Sequence, residues 1–196
     1  MQSNFCLLPF THLSTRVDGN VAPCCRSLDT IGNVKENSLE EIWNGLNMQK
    51  LRQQFIDNER PDGCRLCWDI EDRGNLSMRQ TRNKIVNQPA KIDKIMPFSI
   101  PILELKLSNL CNFRCRTCKP DLSTTWLKDW NTVKDEYDKI GMKYSTGRQE
   151  NYNTDDLLEE LTKLGPSFRI IEFAGGEPLM DPMHYKVLDA LQPFAK

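Results

Sequence analysis

The stretch Ile102 to Cys118 reads ILELKLSNLCNFRCRTC. Its first part, Ile102 to Leu107, alternates well enough for a half-buried strand. Cys111, Cys115 and Cys118 follow at once as a C-x3-C-x2-C triplet, on a loop at the C-terminal end of that strand. Thiolates are soft donors, and three of them on one tight loop suit three corners of an iron–sulfur cubane, with a fourth iron left open. A structural zinc would want a fourth protein ligand, and none lies nearby in the sequence. Arg114, Arg116 and Lys119 add positive charge that would help offset an anionic cluster. The competing reading is a zinc knob or three ordinary thiols.

Downstream, Leu122 to about Ile140 reads as a helix, with Trp126, Trp130, Val133 and Tyr137 at helical spacing. Gly141 to Asn153 reads as a polar loop from which Arg148 is a candidate substrate contact. Thr154 to Leu164 reads as a short helix closed by Gly165-Pro166, Arg169 to Phe173 as a second apolar strand, and Pro182 to Leu191 as a final helix. That order implies parallel strands joined by crossover connections. Between the second strand and the final helix stands Gly175-Gly176-Glu177-Pro178. Two glycines let a backbone approach a ligand closely, and Glu177 would bring a carboxylate or backbone groups to a ligand ammonium. The plainer alternative is a strand-to-helix turn. His184 reads as a packed side chain, and the tryptophans as packing residues.

Upstream, Thr11 to Cys24 reads as a hairpin with Asp18-Gly19 as a two-residue type I′ turn. Ser38 and Glu41 form a capping-box signature ahead of a helix that Asn44-Gly45 bends or splits. Arg60-Pro61-Asp62-Gly63 ends that helix and presents Cys64 and Cys67. Residues 68 to about 87 read as one weakly amphipathic helix. Pro89, Pro97 and Pro101 mark 88–101 as a linker. The boundaries are therefore 1–87, 88–101 and 102–196. Cys6, Cys24, Cys64 and Cys67 form a second thiol set, and four ligands would close a site completely. Zinc and [4Fe–4S] both satisfy that logic. His12 reads as packed or solvated rather than ligating.

The whole chain has 196 residues, 39% of them hydrophobic, which is enough for a core. A net charge of −1 gives no global field for nucleic acid or an anionic membrane. No run approaches a membrane span, and the first ten residues do not read as a secretory signal. A reducing, cytoplasmic location follows as the default, in which eight cysteines point to metal ligation rather than disulfides.

The triplet, preceded by Leu105-Lys106-Leu107-Ser108-Asn109-Leu110, resembles the signature of the radical S-adenosylmethionine superfamily. Ala174 to Pro178 resembles that family's glycine motif for the methionyl end of the cofactor. The resemblance implies that Cys111, Cys115 and Cys118 ligate a [4Fe–4S] cluster and that Gly175, Gly176, Glu177 and Pro178 bind S-adenosylmethionine at its open iron. It also implies reductive cleavage to a 5′-deoxyadenosyl radical that abstracts hydrogen from a substrate. Thr117 stands where the family usually has an aromatic residue, a departure that bears on adenine packing. Residues 1–87 resemble the SPASM and twitch auxiliary-cluster modules, through Cys6, Gly19 with Cys24, Ile31-Gly32-Asn33, Ser38 to Asn44, and Cys64 with Cys67. The glycine spacing selects Cys24 over Cys25. These modules usually follow the barrel, whereas here the module precedes it.

The expected fold is α/β: a truncated parallel β/α barrel behind a small cysteine-rich α+β module with a β-hairpin. The expected partners are an external electron donor, a substrate of peptide or protein class, and the missing remainder of the barrel. A two-strand remnant should expose apolar surface near Ile170 to Phe173. The alternatives are a non-catalytic iron–sulfur electron carrier or partner protein, and a zinc-stabilised binding module.

Overall fold

In the computed structural model, residues 4–142 and 154–195 are described. The polar loop 141–153 and Arg148 thus fall mostly or wholly outside the described residues.

Among the described residues the chain is mixed α/β around one five-stranded sheet of order β3-β2-β1-β4-β5. Strands β1 (His12–Thr15), β2 (Asn20–Ala22) and β3 (Gly32–Asn33) pair antiparallel in sequence. The turn between β1 and β2 is wider than the sequence suggests. Asp18 keeps negative φ, and only Gly19 takes the left-handed region, at φ 91°. The Gly19 N–H donates to Arg16 O at 3.0 Å, and the Arg16 N–H donates to Asn20 O at 2.7 Å. This is a three-residue loop ending in a left-handed glycine, not a type I′ turn, so Val17 sits in the turn instead of extending the strand.

Helices α1 (Leu39–Trp43) and α2 (Leu46–Ile56) are split at Asn44-Gly45, and the Ser38–Glu41 capping box is formed. The stretch read as one helix is two, α3 (Arg65–Asp72) and α4 (Met78–Ile85). Gly74 at φ 78° ends the first, and a second capping box, Ser77 with Gln80, starts the other. Residues 88–101 hold no helix or strand, yet they pack closely. Met96 and Ile100 are buried, and Trp43 Nε1 donates to Pro97 O at 2.7 Å.

Strand β4 (Ile102–Lys106) pairs parallel with β1 on one side and with β5 (Ile170–Ala174) on the other. The hairpin therefore joins the same sheet as the two parallel strands. Helices α5 (Leu127–Lys139) and α6 (Thr154–Leu164) lie between β4 and β5 in the chain, and α7 (Pro182–Leu191) follows. The α5 helix starts later than expected, after two short 3₁₀ turns over 120–126. Only Trp130 of its face is buried; Val133 and Tyr137 are exposed.

Leu13, Leu103 and Leu105 share one sheet face and pack in a single core with Leu157, Leu161, Leu164 and Val187. The core continues through Trp43, Met48 and Phe55 into the N-terminal helices. Glu160 of α6 reaches across to accept from Leu39 N at 3.0 Å, at the N-terminus of α1. Strand β5 is only half-buried, and Ile170 is exposed, consistent with the apolar surface anticipated there. Among the described residues no helix is long and apolar enough to cross a membrane.

Candidate iron–sulfur and glycine-loop sites

Three separate segments carry the first thiol set; charge on Cys24 and Cys64 acts on Cys6, although among the described residues no three of these sulfurs lie within 4.8 Å of one another. Cys6 precedes the first 3₁₀ turn, Cys24 follows β2, and Cys64 and Cys67 flank the start of α3. The Leu28 N–H donates to Gly63 O at 2.8 Å and ties the second segment to the third. Cys6, Cys24 and Cys67 are buried and Cys64 half-buried. Burial pushes the Cys6 thiol well above its ordinary value, and charge on Cys24 and Cys64 adds to the rise. Burial, with smaller contributions from neighbouring cysteines, pushes Cys24 and Cys64 up to about 12. Thiols raised in this way ionise only beside compensating positive charge, which a bound metal or cluster supplies. The donor set thus fits an iron–sulfur group.

Cys25 points elsewhere. It is exposed, lies 3.8 Å from Met78 Sδ, and its thiol is raised to about 11 by partial burial and then by the charge of Glu104.

One cation missed by the sequence reading stands beside the first set. Arg79 of α4 is buried, and its charge lowers the Cys6 and Cys64 thiols, opposing burial. It donates to Glu71 Oε2 at 2.5 Å and to Phe5 O at 2.6 Å, and lies 4.7 Å over the Trp68 ring. Burial raises the Glu71 carboxyl, but the bonds from Arg79 and Ser77 outweigh it and hold the group below its ordinary value. In sequence Arg79 is one of several arginines around and after C-x2-C, with Arg60, Arg65, Arg73 and Arg82, and nothing local singles it out.

The triplet occupies a single loop beyond β4. Cys111 and Cys118 are half-buried and Cys115 is exposed. Burial raises Cys118, as do charges on Cys111 and Cys115, so the three thiols are electrostatic neighbours. The Phe113 N–H points at Cys111 Sγ, 3.3 Å away. The residues just before α5 pin this loop. Thr124 Oγ1 accepts from Cys111 N at 3.2 Å, Thr125 Oγ1 donates to Cys111 O, and Trp126 Nε1 donates to Cys115 O at 3.2 Å. Trp126 is thus a loop clamp, and it lies outside the buried core into which Trp43 and Trp68 pack. Arg114 and Lys119 are paired with Asp129 and Asp121, which reduces the free positive charge expected here. Thr117 is exposed.

The glycine loop lies against the entrance to the triplet. The Gly176 N–H donates to Ser108 O at 3.1 Å and the Glu177 N–H donates to Leu110 O at 2.8 Å. A Cβ on Gly176 would sit 2.2 Å from Leu110 O, and one on Gly175, at φ 112°, 2.8 Å from Ser108 O. The close approach that requires these glycines is therefore to the chain's own backbone. The Glu177 carboxylate accepts from Leu179 N at 3.2 Å, and Pro178 begins a 3₁₀ turn. Ser108 Oγ also donates to Asp181 Oδ2 at 2.5 Å, and Asp181 caps α7 through Met183 N. His184 is buried edge-on against Phe173, with no hydrogen-bond partner for Nδ1.

On the other face of the sheet, His12, Ser14, Glu104, Lys106 and Glu172 form a polar row. His12 is buried, and burial lowers its pKa, a shift that the Pro23 carbonyl opposes.

A family model, the SPASM iron-sulfur cluster-binding domain, matches residues 6–68. The match supports iron–sulfur binding by this segment, which contains Cys6, Cys24, Cys64 and Cys67. No curated protein and no solved structure matches the chain.

Proposed function

We propose that this chain is a radical S-adenosylmethionine enzyme whose N-terminal module carries an auxiliary iron–sulfur cluster. The observation that carries the reading is the joining of two loops at the C-terminal ends of neighbouring parallel strands. The triplet loop leaves β4, the glycine loop leaves β5, and two backbone hydrogen bonds hold them together. The SPASM match supports it independently, because such modules typically accompany this chemistry.

In this reading Cys111, Cys115 and Cys118 hold the catalytic [4Fe–4S] cluster, while Cys6, Cys24, Cys64 and Cys67 hold the auxiliary one. When loaded, the triplet site would supply reductive cleavage of S-adenosylmethionine. The chain's own residues do the positioning. Thr124, Thr125 and Trp126 fix the triplet loop; Gly175 and Gly176 let the second loop close onto it; Ser108 and Asp181 fasten both to α7. The exposure of Cys115 leaves the triplet approachable, whereas the first set is mostly buried, with only Cys64 half-buried, which suits an electron-transfer role. An external reductant, a substrate of peptide or protein class, and further strand–helix units seated against β5 complete the proposal.

Anaerobic reconstitution with iron and sulfide, followed by reduction in the presence of S-adenosylmethionine, should yield 5′-deoxyadenosine. Iron and sulfide without cleavage, in a preparation that includes any remaining barrel units, would assign the chain as an electron carrier. Zinc without labile sulfide would assign it as a zinc-stabilised module.

A further inference from the structure

We propose that His12, Glu104 and Glu172 form a mononuclear site for a divalent first-row transition ion, separate from both cysteine sets. One ring nitrogen of His12 and one carboxylate oxygen from each glutamate lie within 4.8 Å of one another. The three residues come from three adjacent strands. Ser14, Glu104 and Glu172 stand in register across β1, β4 and β5, and His12 lies two residues from Ser14, on the same face.

The imidazole is what separates this row from an ordinary ion-paired patch. His12 is 2% exposed, and its Nδ1 lies 3.0 Å from Pro23 O. A carbonyl only accepts, so Nδ1 carries the proton and Nε2 keeps the lone pair. Among the described residues Nε2 has no hydrogen-bond partner. A buried histidine with one nitrogen committed to a backbone carbonyl and the other unused is arranged as a metal ligand is.

The carboxylates are oriented in the same way. Ser14 Oγ donates to Glu104 Oε2 at 3.1 Å, Lys106 bonds Glu104 Oε1, and Arg82 bonds Glu172 Oε1 at 2.7 Å. Each carboxylate has about four lone-pair positions, so these bonds leave room for a metal. One imidazole and two carboxylates form a borderline donor set, suited to Mn²⁺, Fe²⁺ or Zn²⁺ and distinct from the all-thiolate sets. Ion pairing accounts for both glutamates but not for His12. Lys106 is the internal competitor, because its ammonium and a bound cation share Glu104.

The test is a titration of the full chain, purified without oxygen, with Mn²⁺, following free ion by its electron paramagnetic resonance signal. The expected result is uptake of one Mn²⁺ per chain, displaced by Zn²⁺. Binding should weaken about tenfold or more in Glu172→Gln and in His12→Gln, with iron and sulfide content unchanged. It should tighten in Lys106→Met. Glu172 is partly exposed, so its variant keeps the test decisive even if His12→Gln does not fold. No uptake at about 1 mM Mn²⁺, far weaker than dedicated divalent-ion sites, would overturn the proposal, as would uptake of equal affinity in Glu172→Gln.

Discussion

The two cysteine sites are built on opposite plans. The first draws four thiols from three segments and buries most of them, with a buried arginine alongside. The triplet draws three from one loop and leaves Cys115 in the open. A site assembled over long range exists only when the hairpin, α3 and α4 have all docked, so cluster binding there is folding free energy. A site on one loop costs the fold little and keeps an approach path.

The sharpest test of that contrast is to remove each set. Cys115→Ala with Cys118→Ala should abolish 5′-deoxyadenosine formation and remove roughly half of the bound iron, while the melting temperature barely moves. Cys64→Ser should instead lower both iron content and melting temperature. The opposite pattern, in which the triplet variant unfolds and Cys64→Ser melts normally, would break the comparison.

Arg79→Leu comes next. It leaves Glu71 without its cation and should cost about 3–5 kcal/mol, measured by denaturant unfolding. Because the folded Glu71 carboxyl titrates below its ordinary value, its contribution is intact above the unfolded value of about 4.3 and is lost as pH falls through the lower folded one. Wild type should therefore lose stability steeply below about pH 4, and the variant should show a shallower acid limb.

Gly176→Ala should cost about 1–3 kcal/mol, since its Cβ meets the Leu110 carbonyl oxygen. Its effect on cleavage should exceed its effect on melting, because the strain falls at the junction of the two loops. The smallest effect belongs to Cys25→Ser, which should leave the iron content of the N-terminal module unchanged. Loss of that iron would move the ligand assignment from Cys24 to its neighbour.

Local features were legible in the sequence and long-range ones were not. The Ser38 capping box, α6 and α7 follow from caps and apolar spacing within a few residues. The hairpin was visible, but its loop length was not, because Asp18-Gly19 serves a two-residue or a three-residue turn equally well. The parallel pairing of β1 with β4 depends on segments about ninety residues apart, and alternation within a strand says nothing about its partner. The glycine loop was located correctly but faces its own chain. A sequence shows that side chains are absent at 175 and 176, not what fills the space. Arg79 acquires its importance only from what packs around it.

The position of the hairpin also decides how this sheet can grow. A strand has two hydrogen-bonding edges, and β4 uses one for β1 and the other for β5. A ring of strands closing back onto β4 is thereby blocked, and new strands can add only beyond β5 or β3. Beyond β5 lies a half-buried parallel edge with Ile170 uncovered, so lateral recruitment on that flank would finish the apolar layer, whereas the opposite edge offers only the two-residue strand β3 of the N-terminal module.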